Sequence, residues 1–437
     1  MPTKEPYILH GRIVTMDAAQ TILADGYVGI REGTIAFVRD SVDNLPAGFA
    51  SSRIVDTNGT IYPGLIDLHN HFVYNVLPLW VVPKKYANRS QWPSHPEYKA
   101  GVSKPIKQAL SKYSISAKAV VRFVEGKAIM GGTTTGQGMR TQVNGGSKMF
   151  EGALRFVEEP GNENLLPAGS MVPDLVTTGA TAKERIENFR RALENPNRGA
   201  YFYHLSEGVD DRARQHFLNL QEYDLVQPKL VGIHSLGLQE EDLAIMKEQG
   251  AKLVWSPFSN QLLYGQTLDL RGLKDSGIQF SIGCDWSPSG SKNMLQELKV
   301  AWHTNQEQGT VFSPYELIAA VTSGAAALPG WQEYIGTIEE GKLADLLVID
   351  GVADDVYMHL LTAVEKDVQL VIIDGTPRYG DAASIQQFKF NQDHPLELFT
   401  VSGREKMFNL YSEQSPINDT GFGQAIATLT DIMSDLP

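Results

Sequence analysis

His69 and His71 stand two residues apart at the end of an apolar run, Gly64-Leu65-Ile66-Asp67-Leu68, and that spacing restricts what the chain can become. Side chains two apart on a strand point to the same face, so both imidazoles can reach one interior point while Asn70 faces away. Three further apolar runs end in the same manner. His204 closes Ala200-Tyr201-Phe202-Tyr203, His234 closes Leu230-Val231-Gly232-Ile233, and Asp285 follows Phe280-Ser281-Ile282-Gly283-Cys284. Segments of helical spacing lie between the runs, as in residues 211–221 and 240–248. Alternating strand and helix predict parallel strands. A (β/α)8 barrel gathers residues at the carboxyl ends of its strands, because its strand-to-helix loops open on that face. The expected fold class is therefore α/β, with a (β/α)8 (TIM) barrel over residues 63–333. With Glu207 three residues after His204, the set reads as a hydrolytic metal site.

A chain of 437 residues exceeds the roughly 250 of one such barrel, so a second module is expected. Short strand-like runs separated by turn signals occupy residues 7–17, 26–31 and 34–39, and similar runs return at 343–350 and 369–374. The two ends are expected to pair into a small β-sandwich, residues 1–62 and 334–380. Residues 381–437 read as a polar, partly helical extension without chemistry. The net charge of −13 disfavours nucleic acid or an anionic membrane as partner. No stretch approaches the roughly 20 apolar residues of a membrane span, and the N-terminus lacks a secretory apolar core. The single cysteine, Cys284, excludes an internal disulfide and reads as a small buried strand residue. A cytoplasmic protein, assembled as a homo-oligomer and acting on a small molecule, is expected.

Several segments together resemble the amidohydrolase superfamily, in its mononuclear branch near the cytosine and adenosine-homocysteine deaminases and the triazine chlorohydrolases. They are Pro63-Gly64-Leu65-Ile66-Asp67-Leu68-His69-Asn70-His71, Gly132-Thr133-Thr134-Thr135, His204-Leu205-Ser206-Glu207, the strand ending in His234, Ser259-Asn260, Gly283-Cys284-Asp285, and the run from Gly336-Thr337-Ile338-Glu339-Glu340-Gly341 through Lys342-Leu343-Ala344-Asp345-Leu346. The resemblance implies that His69, His71, His204 and Asp285 hold the metal. It implies that His234 hydrogen-bonds the water or the oxyanion, and that Glu207 moves protons among water, substrate and leaving group. Imidazoles with one carboxylate suit zinc, and iron, manganese or cobalt can occupy similar sites. Such an ion polarises substrate and brings the pKa of water towards neutrality. Binuclear members carry a carboxylated lysine on the fourth strand, whereas residues 167–176 contain no lysine, so one metal is expected.

Two departures bear on substrate. Trp255 begins the segment Trp255-Ser256-Pro257-Phe258-Ser259-Asn260, where the branch has His-x-Pro-x-Ser-Asn, and Trp286 opens an unusual turn after Asp285. Residues 73–112 are far longer than an ordinary strand-to-helix loop. They hold Tyr74, Trp80, Tyr86, Trp92 and Tyr98, together with Lys84, Lys85, Arg89, Lys99, Lys104, Lys107 and Lys112, against one acid, Glu97. One reading is a lid over the mouth that favours an aromatic or anionic substrate, with Trp80, Lys84, Arg89, Trp255, Asn260 and Trp286 as contacts. The other is a solvated face or an oligomer contact. His95, in the same segment, reads as structural. The reaction expected is hydrolysis of a carbon–nitrogen bond, with deamination of a heterocyclic amine or amidine ahead of amide or urea hydrolysis, and a non-catalytic scaffold as the remote alternative.

Overall fold

The computed structural model describes residues 5–110, 113–139, 152–390, 395–413 and 415–434, and Lys112 lies outside them. The chain opens with β1 (Tyr7–Val14), β2 (Ile22–Arg31), β3 (Thr34–Arg39) and β4 (Arg53–Pro63). Eight parallel strands follow: β5 (Leu65–Asp67), β6 (Thr133–Gly136), β7 (Arg155–Phe156), β8 (Gly169–Met171), β9 (Tyr201–Leu205), β10 (Leu230–His234), β11 (Lys252–Trp255) and β12 (Phe280–Ile282). The last are β13 (Leu346–Ile349), β14 (Val368–Ile373), β15 (Thr376–Asp381), β16 (Glu397–Val401) and β17 (Arg404–Phe408).

The parallel strands lack polar alternation because both of their faces are covered. Every residue of β9 and β10 is buried, as expected when helices pack outside and side chains fill the inside. The helix Asp211–Glu222 shows the outer layer at work. Asp210 caps it by accepting from Ala213 N, and Ala213, Phe217 and Leu220 form its buried stripe. The arrangement is of TIM-barrel type, but the expected single closed barrel is not what the pairing shows. Among the described residues the wall consists of a five-stranded sheet, β12-β11-β10-β9-β8, and a three-stranded sheet, β5-β6-β7. At one junction β7 and β8 share no ladder, and Ala168 N donates to Val157 O at 2.7 Å between them. At the other, residues 320 and 321 stand between the strands, with Ile282 N donating to Ala320 O and Ile66 N to Val321 O.

The chain ends do meet, though not as the two-layered sandwich expected. Strand β4 pairs with β1 on one side and antiparallel with β13 on the other, from Leu346 opposite Pro63 to Ile349 opposite Thr60. That edge-to-edge contact merges both ends into one nine-stranded sheet, β16-β17-β15-β14-β13-β4-β1-β2-β3. The C-terminal segment supplies two of those strands and the helix Phe422–Met433, which packs on the helix Tyr113–Met130. A Cβ at Gly126 would lie 2.4 Å from the Phe422 ring, so the absent side chain admits that contact. Buried Arg122 ties the segment down by donating to Leu410 O, Ile417 O and Thr420 O at 2.8–3.0 Å.

Candidate active site

The four runs singled out in the sequence deliver their polar ends to one place. His69 is central, its ring 5.1 Å from that of His71, 4.8 Å from His204 and 5.0 Å from His234. Its Nε2 lies 3.2 Å from Asp285 Oδ1, and His71 Nε2 lies 3.2 Å from His204 Nε2. The backbone makes this convergence possible by leaving the strands abruptly. Ser206, His234 and Asp285 have φ of 48°, 64° and 63°, the left-handed region, which costs a non-glycine residue about 1–2 kcal/mol. Hydrogen bonds from Asp285 N to His69 O (2.8 Å) and from His71 N to Asp285 O (2.6 Å) lock the two ends side by side.

The electrostatics suit a bound cation. Burial pushes the His71 imidazole down to about 3, with the neighbouring His69 acting in the same direction. Burial also lowers His204 and His234, so these rings keep lone pairs available. Burial would raise the Asp285 carboxyl, but the adjoining imidazoles, His69 first, hold it below the usual carboxylate range. His69 Nδ1 and His204 Nδ1, both buried, have no hydrogen-bond partner among the described residues. Orphaned polar atoms in a dry interior are costly unless a ligand satisfies them. Donor atoms 3.2 Å apart also match the roughly 3.3 Å edges of a tetrahedral zinc site. Two triads have atoms within 4.8 Å of one another, His69-His204-His234 and His69-His71-Asp285. The residues present therefore fit a divalent ion.

Beside this cluster Glu207 presents Oε2 3.8 Å from His234 Nε2. Asn260 Oδ1 lies 3.0 Å from His234 Nδ1. A proton on Nδ1 then leaves Nε2 with a lone pair that can accept from a water or another donor, while Glu207 Oε2, itself an acceptor, lies beyond hydrogen-bond distance.

Comparison with known proteins places these residues in a wider group. Residues 196–378 match the amidohydrolase family. A 5-methylthioadenosine/S-adenosylhomocysteine deaminase from Bacillus cereus is 25% identical over 415 residues, covering 85% of this chain and 93% of its own. The fold is similar to that of a triazine hydrolase from Arthrobacter aurescens (TM-score 0.70, 16% identity, 98% and 99% covered). It is also similar to a zinc-bound adenosine deaminase from Xanthomonas campestris (TM-score 0.61, 20% identity, 85% and 92% covered). The chain is thus similar to amidohydrolases over residues 196–378, and to a relative named as a deaminase over most of its length.

In this chain residues 73–110 form a wall fastened to the strand ends. Arg89 N donates to Glu207 O, Val209 N to Ala87 O, and Trp80 N to Pro288 O. Trp286 stands 5.7 Å from the His71 ring, with Tyr74, Trp92 and Tyr98 at 5.0–6.1 Å from Trp286. Arg89 Nε lies 3.7 Å from Glu207 Oε2. The other expected contacts are elsewhere. Trp80 packs against Tyr86 and Tyr98. Lys84 is exposed over Tyr86. Lys85 donates to Gln261 O and Leu262 O, where it covers the last carbonyls of the helix Pro257–Tyr264. Trp255 is wholly buried and donates from Nε1 to Thr267 Oγ1. His95 accepts from Glu97 N, a local structural role. The Cys284 thiol is buried and pushed well up by that burial, and its N–H donates to Asp67.

The sequence reading passed over Asp67, Ser259 and Tyr264 as site residues. Asp67 accepts from Cys284 N and Asn70 Nδ2, bracing β5 against the strand of Asp285. Ser259 Oγ donates to Asp285 Oδ2 at 2.5 Å. Tyr264 OH donates to Glu207 Oε1 at 2.6 Å. A hidden carboxylate inside an apolar strand was a usable signal for Asp67; a tyrosine closing a helix gives none.

Proposed function

We propose that this protein hydrolytically removes an amino group from a heterocyclic amine, with His69, His71, His204 and Asp285 holding one divalent ion, zinc by the chemistry of the set. When bound, the ion supplies Lewis-acid activation of water and substrate. The observation that carries the reading is Glu207, whose Oε2 lies 3.8 Å from His234 Nε2 at the edge of the imidazole cluster. A carboxylate so placed can accept a proton from the attacking water and deliver it to the departing nitrogen. His234, oriented by Asn260, holds the polar end of the reacting group. The aromatic face of Trp286 beside His71, backed by Trp92 and Tyr98, covers a planar ring. Arg89, next to Glu207, is the cation of residues 73–110 that reaches the site.

The name of the Bacillus cereus relative, a deaminase of an adenine-bearing compound, supports an aminopurine-like ring. The two parallel sheets act in this reading as one barrel wall, supported by hydrogen bonds across both junctions, Ala168 N to Val157 O at 2.7 Å and Asp285 N to His69 O at 2.8 Å. The test is a screen of heterocyclic amines, amides and ureas with zinc-loaded protein, reading ammonia and mass shift. Ammonia with replacement of an amino group by oxygen supports deamination; turnover confined to amides or ureas, or none with stoichiometric zinc bound, rejects it.

A further inference from the structure

Glu207 has two oxygens, and the structure treats them differently. Oε1 accepts from Tyr264 OH at 2.6 Å, and Tyr264 OH in turn accepts from Trp92 Nε1 at 3.1 Å. An indole N–H can only donate, so it fills an acceptor position on the phenol oxygen and directs the phenolic proton to Glu207. Both rings are buried, and burial, followed by the Glu207 charge, raises the Tyr264 phenol well above its ordinary value, so the proton stays on Tyr264. Tyr264 is itself fixed. It ends the helix Pro257–Tyr264, whose terminal carbonyls are taken by Lys85 Nζ and Tyr86 N, and Gly265 follows at φ 74°. Among the described residues Oε2 has no comparably short partner, with His234 Nε2 at 3.8 Å and Arg89 Nε at 3.7 Å.

We infer that Tyr264 is a positioning residue for the reaction: with Trp92 behind it, it holds Glu207 by Oε1 so that Oε2 alone carries the proton between water and leaving nitrogen. The inference rests on the proton-carrier reading of Glu207. It also gives residues 73–110 a role beyond covering the mouth, since Trp92 reaches the catalytic carboxylate through one intermediary. The proton taken from water returns on the departing nitrogen, so Tyr264 begins and ends the cycle protonated. Loss of the phenol hydroxyl therefore leaves metal binding and substrate capture intact while the carboxylate loses its aim.

The test is a double-mutant cycle on the zinc-loaded full chain, using the heterocyclic amine with the fastest ammonia release in the screen above, joined to crystal structures of wild type and Tyr264→Phe. Tyr264→Phe is expected to lower kcat roughly 10-fold, the scale of one hydrogen bond to a charged group, with KM within about twofold and zinc content unchanged. In a Glu207→Gln background the same change should cost nothing further, because residues acting as a unit are non-additive. The crystal structures should show Glu207 in one orientation in wild type and turned or divided between orientations in Tyr264→Phe. Additive losses, a change confined to KM, or an unmoved Glu207 in Tyr264→Phe each overturn the inference while leaving the carboxylate's own role standing. A Glu207→Gln enzyme of normal rate removes that role and this inference together.

Discussion

Two polar clusters, each centred on buried charged or imidazole groups, are built to opposite ends. The first surrounds Arg155 of β7. Its guanidinium is paired with Asp345 and Asp374, and its NH1 also donates to Thr135 Oγ1 at 3.2 Å. Asp345 precedes β13, and Asp374 lies between β14 and β15, so the cluster joins the strand wall to the nine-stranded sheet. The second cluster is His69, His71, His204, His234 and Asp285. It gathers four imidazoles around one carboxylate, with nitrogens of His69 and His204 lacking hydrogen-bond partners among the described residues. Opposite charges that meet their partners make a joint, while donors of one kind crowded together make a site awaiting a cation. Burial alone does not distinguish them; the partner inventory does.

The largest effect expected is at the joint. Arg155→Ala leaves Asp345 buried without its partner and should cost about 3–5 kcal/mol of stability, read as a lower urea midpoint. Turnover per folded, zinc-loaded molecule should stay near wild type; a specific loss of turnover would mean that the joint also shapes the site. The converse case is His71→Ala, expected to lose zinc and on the order of 10³-fold or more in kcat/KM while the apo protein unfolds near its wild-type midpoint. Elemental analysis and denaturation together check it. A large loss of apo stability would place the imidazole cluster with the joint. Third, Glu207→Gln should keep its zinc and lose about 10²-fold in kcat; a near-normal rate ends the proton-carrier assignment.

The fourth prediction is read as a slope with pH and concerns Glu297, a buried carboxyl between the two cases. Burial pushes it up to about 8, and its Oε1 accepts from Phe258 N at 3.1 Å. Between the unfolded value near 4.5 and about 8, the folded chain binds a proton that the unfolded chain has lost. Stability from this group is therefore present below pH 4.5 and declines as pH rises across that window, by at most about 1.4 kcal/mol per pH unit. Glu297→Gln should flatten the decline in urea titrations from about pH 5 to 8. An unchanged slope would show that Glu297 stays ionised in the folded protein.

Most of the site was legible from one-dimensional pattern. Apolar runs ending in His69, His71, His204, His234 and Asp285 require only that a strand present its end where its loop begins, and local periodicity encodes that. Residues 73–112 announced themselves through length and aromatic content, and Trp92 and Trp286 do stand beside His71 or its neighbours. Charge count misled for Lys84 and Lys85, because sequence does not say which way a lysine on a long loop turns. The nearest helix carbonyls claimed Lys85.

The sequence by itself determined the periodic features: parallel strands, helices between them, and the imidazoles and carboxylate at the strand ends. Tertiary structure decided what depends on registration between distant segments. It merged the two chain ends into one sheet through the edges of β4 and β13, and set Tyr264 and Trp92, 172 residues apart, in line behind Glu207. Strand and helix periods are local properties of the backbone and can be read from neighbours. Which edge meets which, and which hydroxyl meets which carboxylate, depends on how the whole core closes.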